Sequence, residues 1–217
     1  MAATSSQLRA WWSGYLCDPG DMTNFPFPTS GGWKNLLVAE QAIPVWAAVS
    51  QIMSSEPYYF EDPDGGTYNC REIDNSGRWS LHSYGIAIDL NPDENPQKNP
   101  LTHNYPGDFI KRMEGIRANG KQAVAWGGRW TSVAPDAMHW QVNVAPVDCK
   151  NVVWDKGGGQ VPTTGPNGEP NWDEVSDWAK ASWTEAHKAG LLTKDSHPRN
   201  SLEVEELMVY LNRAGVI

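Results

Sequence analysis

The sequence predicts an α+β domain, a small antiparallel sheet with packing helices, followed by a small helical module. Two alternating runs predict the strands of the sheet. In residues 85–90, isoleucine and leucine alternate with small residues and Asp89; in residues 138–144, Trp140 and valines alternate with polar side chains. The third observation is a change of composition at the Gly- and Pro-rich residues 155–170, which predict a linker.

The remaining elements are predicted from periodicity and turn-forming residues. Apolar side chains recur at helical spacing in three stretches, which are Ser6–Trp12, residues 36–54 and residues 108–119. Pro44 would kink the second helix, Asp108 would cap the third, and Asn119–Gly120 would end it. Residues 57–72 predict a strand, a turn and a strand. The rest of residues 1–35 predicts an arm that covers the core.

The chain is expected to divide into three parts. Residues 1–154 form the main domain, residues 155–170 the linker and residues 171–217 the helical module. The spacing of apolar residues in the module predicts one helix from Trp172 to Ala189. A second helix is predicted to begin with a capping box formed by Asn200-Ser-Leu-Glu203. Two such short helices bury little apolar surface alone, so the module packs on the main domain or pairs with another copy.

Composition and charge exclude several function classes. The net charge of -9 argues against nucleic acid as a partner. No apolar run approaches the ~20 residues that span a bilayer, so we expect no membrane partner, and the chain is expected to be a monomer. Met1–Trp12 has no basic region followed by an apolar one, so no secretory signal is expected. Twelve tryptophans indicate aromatic clefts, of the kind that bind sugars or peptides, although most are expected in the core.

The three cysteines carry little of the predicted chemistry. Cys17, Cys70 and Cys149 are an odd number without CxxC spacing, which disfavours a disulfide framework and a zinc finger. A single disulfide between two of the three cysteines stays an alternative. No histidine or acid pattern near any of them indicates a nucleophile.

His82, Asp89 and His139 form the ligand set of a catalytic zinc site. Such a zinc takes three ligands from histidine and carboxylate and keeps a fourth position open for water. Asp136, at the turn before His139, is placed to act as the general base. Arg71 is placed to hold a substrate carboxylate or a developing oxyanion. His82 and Asp89 alone mean little, because a core or capping histidine explains that pair better.

The complete constellation is more specific. It comprises Arg71, Ser80-x-His82-x-x-Gly85-x-Ala87-x-Asp89, Trp126-Gly-Gly-x-Trp130 and Asp136-x-x-His139-Trp140. Over roughly residues 25–150 the chain resembles the zinc D-alanyl-D-alanine carboxypeptidase and L-alanyl-D-glutamate endopeptidase family, known from cell-wall dipeptidases and phage endolysins. The resemblance implies a metal-site layout shared with hedgehog domains, hence a hedgehog-like or D-Ala-D-Ala peptidase-like fold.

The resemblance also implies roles for residues. His82, Asp89 and His139 would bind Zn²⁺, and Asp136 would be the catalytic acid/base, where many relatives have Glu. Arg71 would bind substrate; Arg78 is nearer to His82, but Arg71 follows a Tyr-Asn-Cys run like that of the endopeptidase branch. Ser80 and Gln141 would support the zinc ligands through contacts beside them. Trp126 and Trp130 would either line the peptide cleft or pack in the core. His103, His187 and His197 are expected outside the site.

The resemblance therefore predicts a zinc metallopeptidase that hydrolyses peptidoglycan stem peptides, an endolysin-type L-alanyl-D-glutamate endopeptidase. One alternative is a D,D-carboxypeptidase or dipeptidase on the same scaffold; another is a non-catalytic, zinc-stabilised wall-binding protein. Through Trp178-Ala-Lys-x-Ser-Trp183 and Pro198-x-Asn-Ser-x-Glu-x-x-x-Leu207, the C-terminal module resembles S-layer-homology-like wall-binding repeats. The alternative is a helical appendage that packs on the main domain. We expect synthesis in the cytoplasm of a phage-infected host and action at the bacterial cell wall.

Overall fold

The structure is a computed structural model that describes residues 3–61, 65–74 and 76–154. The predicted linker and the predicted helical module lie outside these residues, as do His187 and His197. The division of the chain into domains therefore stays a prediction. In the part of the chain that is described, no helix combines the length and the apolar character needed to cross a membrane.

Short helices and short strands alternate along the described chain. The α-helices are α1 (Ser5–Trp11), α2 (Ile43–Ser55) and α3 (Phe109–Gly115). The strands are β1 (Met22–Thr29), β2 (Gly32–Ala39), β3 (Ala87–Asp89), β4 (Arg117–Ala118), β5 (Lys121–Gln122), β6 (Val124–Trp126) and β7 (His139–Val142). Single 3₁₀ turns lie at Ser13–Tyr15, Pro19–Asp21, Glu40–Ala42, Leu81–Tyr84, Gly127–Arg129 and Pro146–Asp148.

Every strand pair within the described residues is antiparallel, as predicted. β1 and β2 form a hairpin, β4 and β5 form a second hairpin, and β7 lies between β3 and β6 in the central sheet. This confirms a mixed fold with small antiparallel sheets. The hedgehog-like arrangement stays a prediction.

The two faces of the central sheet differ in chemistry, which confirms the alternation in the two strand-like runs. Ile88 of β3 pairs with Trp140 of β7, which also pairs with Trp126 of β6, and all three face the core. The indoles of Trp126 and Trp140 stack with centroids 5.6 Å apart. Asp89 pairs with His139 on the opposite face, because neighbouring residues of a strand point to opposite sides.

The helix predicted for residues 36–54 is wrong in its first third. Gly32–Ala39 is β2, paired along its whole length with β1, and α2 begins only at Ile43. Pro44 lies in the first turn of α2, where its missing N–H has no helical partner to lose, so it starts the helix instead of kinking it. Long-range pairing with β1 outweighs the local helical spacing.

The arm predicted for residues 1–35 is confirmed only at its predicted helix. α1 covers that stretch, and Thr4 and Gln7 form a capping box at its start. The residues of β1 belong to the hairpin with β2, so they are part of the folded core and not a covering loop.

Neither strand predicted within residues 57–72 forms in the described part of the chain, and most of the turn predicted between them, residues 62–64, lies outside that part. This segment pairs with its neighbours only through the single bridges Gly66–Asp89 and Glu72–Trp79. Its other backbone hydrogen bonds go to different segments one at a time; the amide of Phe60, for example, donates to the carbonyl of Pro28. Arg71 therefore follows an irregular path and does not lie on a strand.

Helix α3 is shorter than predicted. It ends at Gly115, and Asp108 takes the N-cap position without a side-chain capping bond. Asn119 and Gly120 do not end this helix but form the two-residue turn between β4 and β5. Their φ angles, 49° and 77°, are both positive; two-residue hairpins favour such a turn, and Asn-Gly is its commonest sequence.

One disulfide, the possibility that the sequence left open, joins Cys17 to Cys70. Cys149 is free and buried. Burial, together with the charge of Asp148, raises the pKa of the Cys149 thiol to about 12, which disfavours the reactive thiolate.

Gly85 has a different role from the one its alternating position predicts. It does not face the ligands from a strand but ends the 3₁₀ turn at Leu81–Tyr84 in the left-handed region, with φ 65°. Its carbonyl accepts the amide of Ala39. A Cβ atom at Gly85 would lie 2.6 Å from that backbone nitrogen, so the residue packs the turn directly against β2.

Gly85→Ala is expected to lower the free energy of unfolding more than Gly77→Ala. Both glycines have φ 65°, so both substitutions carry the same left-handed strain of about 1–2 kcal/mol. Nothing lies within 4 Å of a Cβ at Gly77, whereas at Gly85 it meets backbone. The clash adds at least about 1 kcal/mol. Urea unfolding measures the difference; equal losses would contradict the packing role.

Candidate metal centre

His82, Asp89 and His139 come together as predicted. The ligand-type atoms that they offer all lie within 4.8 Å of one another. Asp89 is the last residue of β3 and His139 the first of β7, and the two are direct partners in the ladder. His82 lies on the 3₁₀ turn at Leu81–Tyr84, which precedes β3. The turn brings the second imidazole to the end of the sheet.

The carboxylate of Asp89 lies between the two imidazoles. Its Oδ2 is 3.2 Å from Nε2 of His82, and its Oδ1 is 3.1 Å from Nδ1 of His139. Ligand atoms about 2.0–2.1 Å from a tetrahedral zinc lie roughly 3.4 Å apart, so these separations suit a common metal ion. Two histidines and one carboxylate are also the donor types of catalytic zinc sites.

Each imidazole is oriented by a bond on its other nitrogen. Nδ1 of His82 hydrogen-bonds to the carbonyl of Thr67, so this nitrogen carries the proton. Nε2 of His82 is buried without a hydrogen-bond partner among the described residues, although Asp89 is close. Nε2 of His139 contacts Oε1 of Gln141 at 3.2 Å, which leaves Nδ1 as the donor to a metal. Such outer bonds fix the tautomer of metal-binding histidines.

The electrostatics of the cluster favour a cation. Burial by itself would raise the pKa of Asp89, but the hydrogen bond from His139 and the nearby imidazole of His82, with the charges of both rings, outweigh burial and lower that pKa. Burial would likewise lower the pKa of His139, but Asp89 and Asp136 raise it. The carboxylate therefore stays ionised and stabilises positive charge beside it, and the residues present fit a bound Zn²⁺.

Backbone atoms of residues 65–67 hold two of the ligands in place. The carbonyl of Gly66 accepts the amide of Asp89 at 3.0 Å, and the carbonyl of Thr67 accepts the ring of His82. The hydroxyl of Ser80 caps the turn by accepting the amide of His82, which gives the predicted support from Ser80. Residue types do not reveal contacts of main-chain carbonyls, so the sequence could not indicate Gly66 or Thr67.

Asp136 is held beside His139 by a close approach at Gly127. The amide of Asp136 donates to the carbonyl of Gly127 at 3.1 Å. A Cβ atom at Gly127 would lie 2.6 Å from the carbonyl oxygen of Asp136 and 3.0 Å from Cβ of His139. Only glycine leaves room for this turn, which explains one glycine of the Trp126-Gly-Gly run.

Three aromatic side chains fix the turn between Asp136 and His139 from behind. The hydroxyl of Tyr105 and Nε1 of Trp126 both donate to the carbonyl of Ala137, at 2.9 and 2.7 Å. Nε1 of Trp140 donates to the hydroxyl of Tyr105. Tyr105 was not predicted from the sequence; its only signal was an aromatic residue in a polar, proline-rich loop.

The carboxyl group of Asp136 has the properties of a general base. Its Oδ1 is buried and has no hydrogen-bond partner within the described part of the chain. Burial raises its pKa; the charge of Asp89 acts in the same direction, while His139, His82 and Arg71 act against it. A raised carboxyl pKa increases basicity, which favours proton transfer near neutral pH.

Arg71 is exposed, and its backbone is fixed at several points. Oγ of Ser83 accepts the amide of Arg71 at 3.0 Å, and the carbonyl of Arg71 accepts the amide of Ser80. The neighbouring Cys70 is tied to the N-terminal segment by the disulfide. The charge of Arg71 lowers the pKa of Asp136, whereas the charge of Arg78 lowers the pKa of Arg9, on the N-terminal helix. This favours Arg71 of the two arginines, and its role stays a prediction.

The remaining aromatic residues considered from the sequence lie in different places, one in the core, one beside the metal ligands and one on the surface. Trp126 is 3% exposed and belongs to the core. Trp130 is half-buried, and its ring lies 5.1 Å from that of His139, so it borders the cluster. His103 is exposed in its loop, as predicted, and its ring packs on Tyr105.

Comparison with known proteins supports the resemblance. A family model described as D-alanyl-D-alanine carboxypeptidase, a zinc peptidase family, matches residues 74–142. The matched stretch, about a third of the chain, includes His82, Asp89, Asp136 and His139. No curated protein and no solved structure matches the chain. The match supports a zinc peptidase that acts on peptidoglycan, at that general level.

Gln141→Ala is expected to weaken zinc binding about 10–100-fold, because Nε2 of His139 loses the acceptor that orients its ring. Gln141→Glu keeps an acceptor at the same place and is expected to retain the affinity. Competition with a chromophoric chelator measures both variants. Unchanged affinity in Gln141→Ala would show that Gln141 does not orient the ligand.

Proposed function

We propose that the chain is a zinc-dependent peptidase that cleaves peptidoglycan stem peptides, as an endolysin-type L-alanyl-D-glutamate endopeptidase. One observation carries the proposal: His82, Asp89 and His139 converge within 4.8 Å, beside the partly buried carboxyl of Asp136. The family match over residues 74–142 supports the reaction class.

In this function each residue has a separate task. His82, Asp89 and His139 would hold Zn²⁺, which supplies a Lewis acid and an activated water when bound. Asp136 would accept a proton from the attacking water as the new carbon–oxygen bond forms. It would then return the proton to the amide nitrogen as the carbon–nitrogen bond breaks. Its raised pKa suits both steps.

Arg71 would bind the substrate. Its guanidinium is exposed, and its charge lowers the pKa of Asp136, which supports a position at the rim of the same site. A guanidinium binds a carboxylate through two parallel hydrogen bonds, and stem peptides carry carboxylates that would fit it. The half-buried ring of Trp130, against His139, would border the bound peptide.

A second candidate, a D,D-carboxypeptidase or dipeptidase, is favoured by the carboxypeptidase activity for which the matched family is named. It would use the same residues and differ only in the bond that is cut. A non-catalytic wall-binding protein is less consistent with Asp136. A buried carboxylate oxygen without a partner costs about 1–3 kcal/mol, and a zinc site that only stabilises the fold has no use for it.

The setting of the reaction stays a prediction. Synthesis in a phage-infected host, action at the bacterial wall and a monomeric state belong with the endolysin interpretation. So does wall binding by residues 171–217, which lie outside the described residues.

Digestion of purified peptidoglycan with the full chain tests the proposal. The protein is expected to carry about one zinc per chain, to lose activity when a chelator removes it, and to recover when zinc is returned. Mass spectrometry of the products is expected to show a new N-terminal D-glutamate. Release of D-alanine would instead establish the carboxypeptidase. Full activity in a metal-free preparation would exclude the mechanism.

Asp136→Asn is expected to lower kcat at least about 100-fold, because the general base is lost, while zinc content stays unchanged. The variant is expected to be at least as stable as the wild type at neutral pH. Burial raises the folded-state pKa of Asp136, so its ionised form destabilises the fold above that pKa, and a neutral amide removes this cost.

Asp108→Asn is the matched control, since the side chain of Asp108 is exposed and lies 3.8 Å from Nζ of Lys111 in a surface ion pair. It is expected to leave both kcat and stability unchanged. Unimpaired turnover in Asp136→Asn would remove Asp136 from its assigned role.

A further inference from the structure

A cavity of about 400 Å³ lies at the far end of β7 from the metal ligands. Gln7 and Trp11 of α1 form one wall, Lys121 and Gln122 of β5 another, and Asn143 after β7 a third. The volume falls in the range of small-molecule sites, about 300–1,000 Å³. None of these residues belongs to the proposed zinc site.

The two adjacent tryptophans at the end of α1, Trp11 and its C-cap residue Trp12, have different environments. Trp12 is fully buried, and its Nε1 donates to the carbonyl of Val144 at 2.8 Å, which anchors α1 to the end of β7. Trp11 is 44% exposed and lines the cavity. Trp12 fills the core and fastens the helix, so Trp11 is left as an indole surface that a ligand can cover.

Two glutamine amides in the cavity wall retain hydrogen-bonding capacity. Oε1 of Gln7 accepts the amide of Thr4, and Nε2 of Gln122 donates to the carbonyl of Val124. The bonds found within the described residues do not use Nε2 of Gln7 or Oε1 of Gln122. The cavity therefore combines a donor and an acceptor with the indole.

The charges in the wall compensate each other. Nζ of Lys121 lies 2.7 Å from Oδ2 of Asp148, and Nδ2 of Asn119 donates to Oδ1 at 2.9 Å. The carboxylate is thus neutralised by a direct partner. Such a wall suits a neutral, polar ligand with an apolar ring face better than a phosphate or another anion.

We propose that this cavity binds an N-acetylhexosamine unit of a glycan strand. A pyranose ring has an apolar face that would cover Trp11, and its hydroxyl and acetamido groups would bond to Gln7 and Gln122. The identification of the glycan as that of peptidoglycan rests on the proposed function. The cavity is then a glycan subsite that works together with the peptide site.

The position of the cavity relative to the metal ligands suits a glycan subsite next to a peptide site. The ladder of β7 continues past Val142, because the amide of Asn143 donates to the carbonyl of Ala123. His139 and Asn143 therefore lie on the same face of one strand, with Cα atoms about 13 Å apart. One extended residue spans only about 3.3–3.6 Å, and the L-alanyl-D-glutamate bond lies one residue from the sugar that bears the stem peptide. The sugar in the cavity is therefore a neighbouring unit of the same glycan strand, whose added length bridges the distance to the ligands.

NMR titration of the labelled full chain with a soluble tetramer of β-1,4-linked N-acetylglucosamine tests the proposal. Saturable shifts are expected for the side-chain amides of Gln7 and Gln122 and for the indole of Trp11. The indole of Trp33, 50% exposed on β2, is expected to stay unchanged. Absence of these shifts at millimolar sugar, or shifts confined to residues 155–217, would overturn the proposal.

Trp11→Ala is expected to weaken binding of the tetramer at least about tenfold, whereas Trp33→Ala, a matched exposed tryptophan, keeps the affinity. Wild-type affinity in Trp11→Ala would overturn the proposal. Both variants are expected to fold as the wild type does, because neither ring is buried; thermal unfolding checks this.

Peptidase assays separate the two proposals. Trp11→Ala is expected to cleave a glycan-free stem peptide with unchanged kcat and KM, and to cleave intact peptidoglycan with a raised KM. If the wild type binds the sugar but cleaves no peptide, the peptidase proposal fails and the glycan subsite stands. If it cleaves peptide but binds no sugar, only the glycan subsite fails.

Discussion

The pairing of β3 with β7 is the constraint on which the candidate site depends. It sets Asp89 directly opposite His139 in the ladder, so a carboxylate and an imidazole share one face at the end of a three-stranded sheet. A shift of one residue in this register would turn the carboxylate into the core and Ile88 towards the ligands. The apolar face prevents that shift, because Ile88 and Trp140 are both fully buried. The core thus determines the geometry of the polar face.

His82 joins this pair from outside the sheet, and its placement depends on weaker, more numerous contacts. The turn that carries it is capped by Ser80 and ends at Gly85, whose close approach to Ala39 fixes it against the hairpin. The carbonyl of Thr67 then fixes the ring. Among the described residues, the buried polar atoms without hydrogen-bond partners are Nε1 of Trp46, Nε2 of His82 and Oδ1 of Asp136. Two of the three lie at the metal centre. Unsatisfied buried groups are costly, and their concentration at one place is typical of a functional site.

Sequence patterns predicted the elements whose side chains repeat regularly and failed where backbone atoms decide. The alternation in residues 86–90 and 138–144 led correctly to β3 and β7, because burial of one face of a sheet leaves a period of two. The same reasoning misplaced Gly85, since its left-handed backbone interrupts the alternation. Residues 36–42 have helical spacing but pair with β1 or form a 3₁₀ turn, because long-range strand pairing outweighs local spacing.

The sequence by itself determined the chemistry of the candidate site. Two histidines, an aspartate and a second carboxyl three residues before the last histidine are the residue types that catalytic zinc sites use. Tertiary structure alone decided how these groups are held. The carbonyls of Gly66, Thr67 and Ala137 and the close approach at Gly127 orient the ligands and the base. The physical reason is that every residue has a carbonyl oxygen. Which carbonyl accepts a hydrogen bond depends on the path of the chain, and the type of side chain does not indicate it.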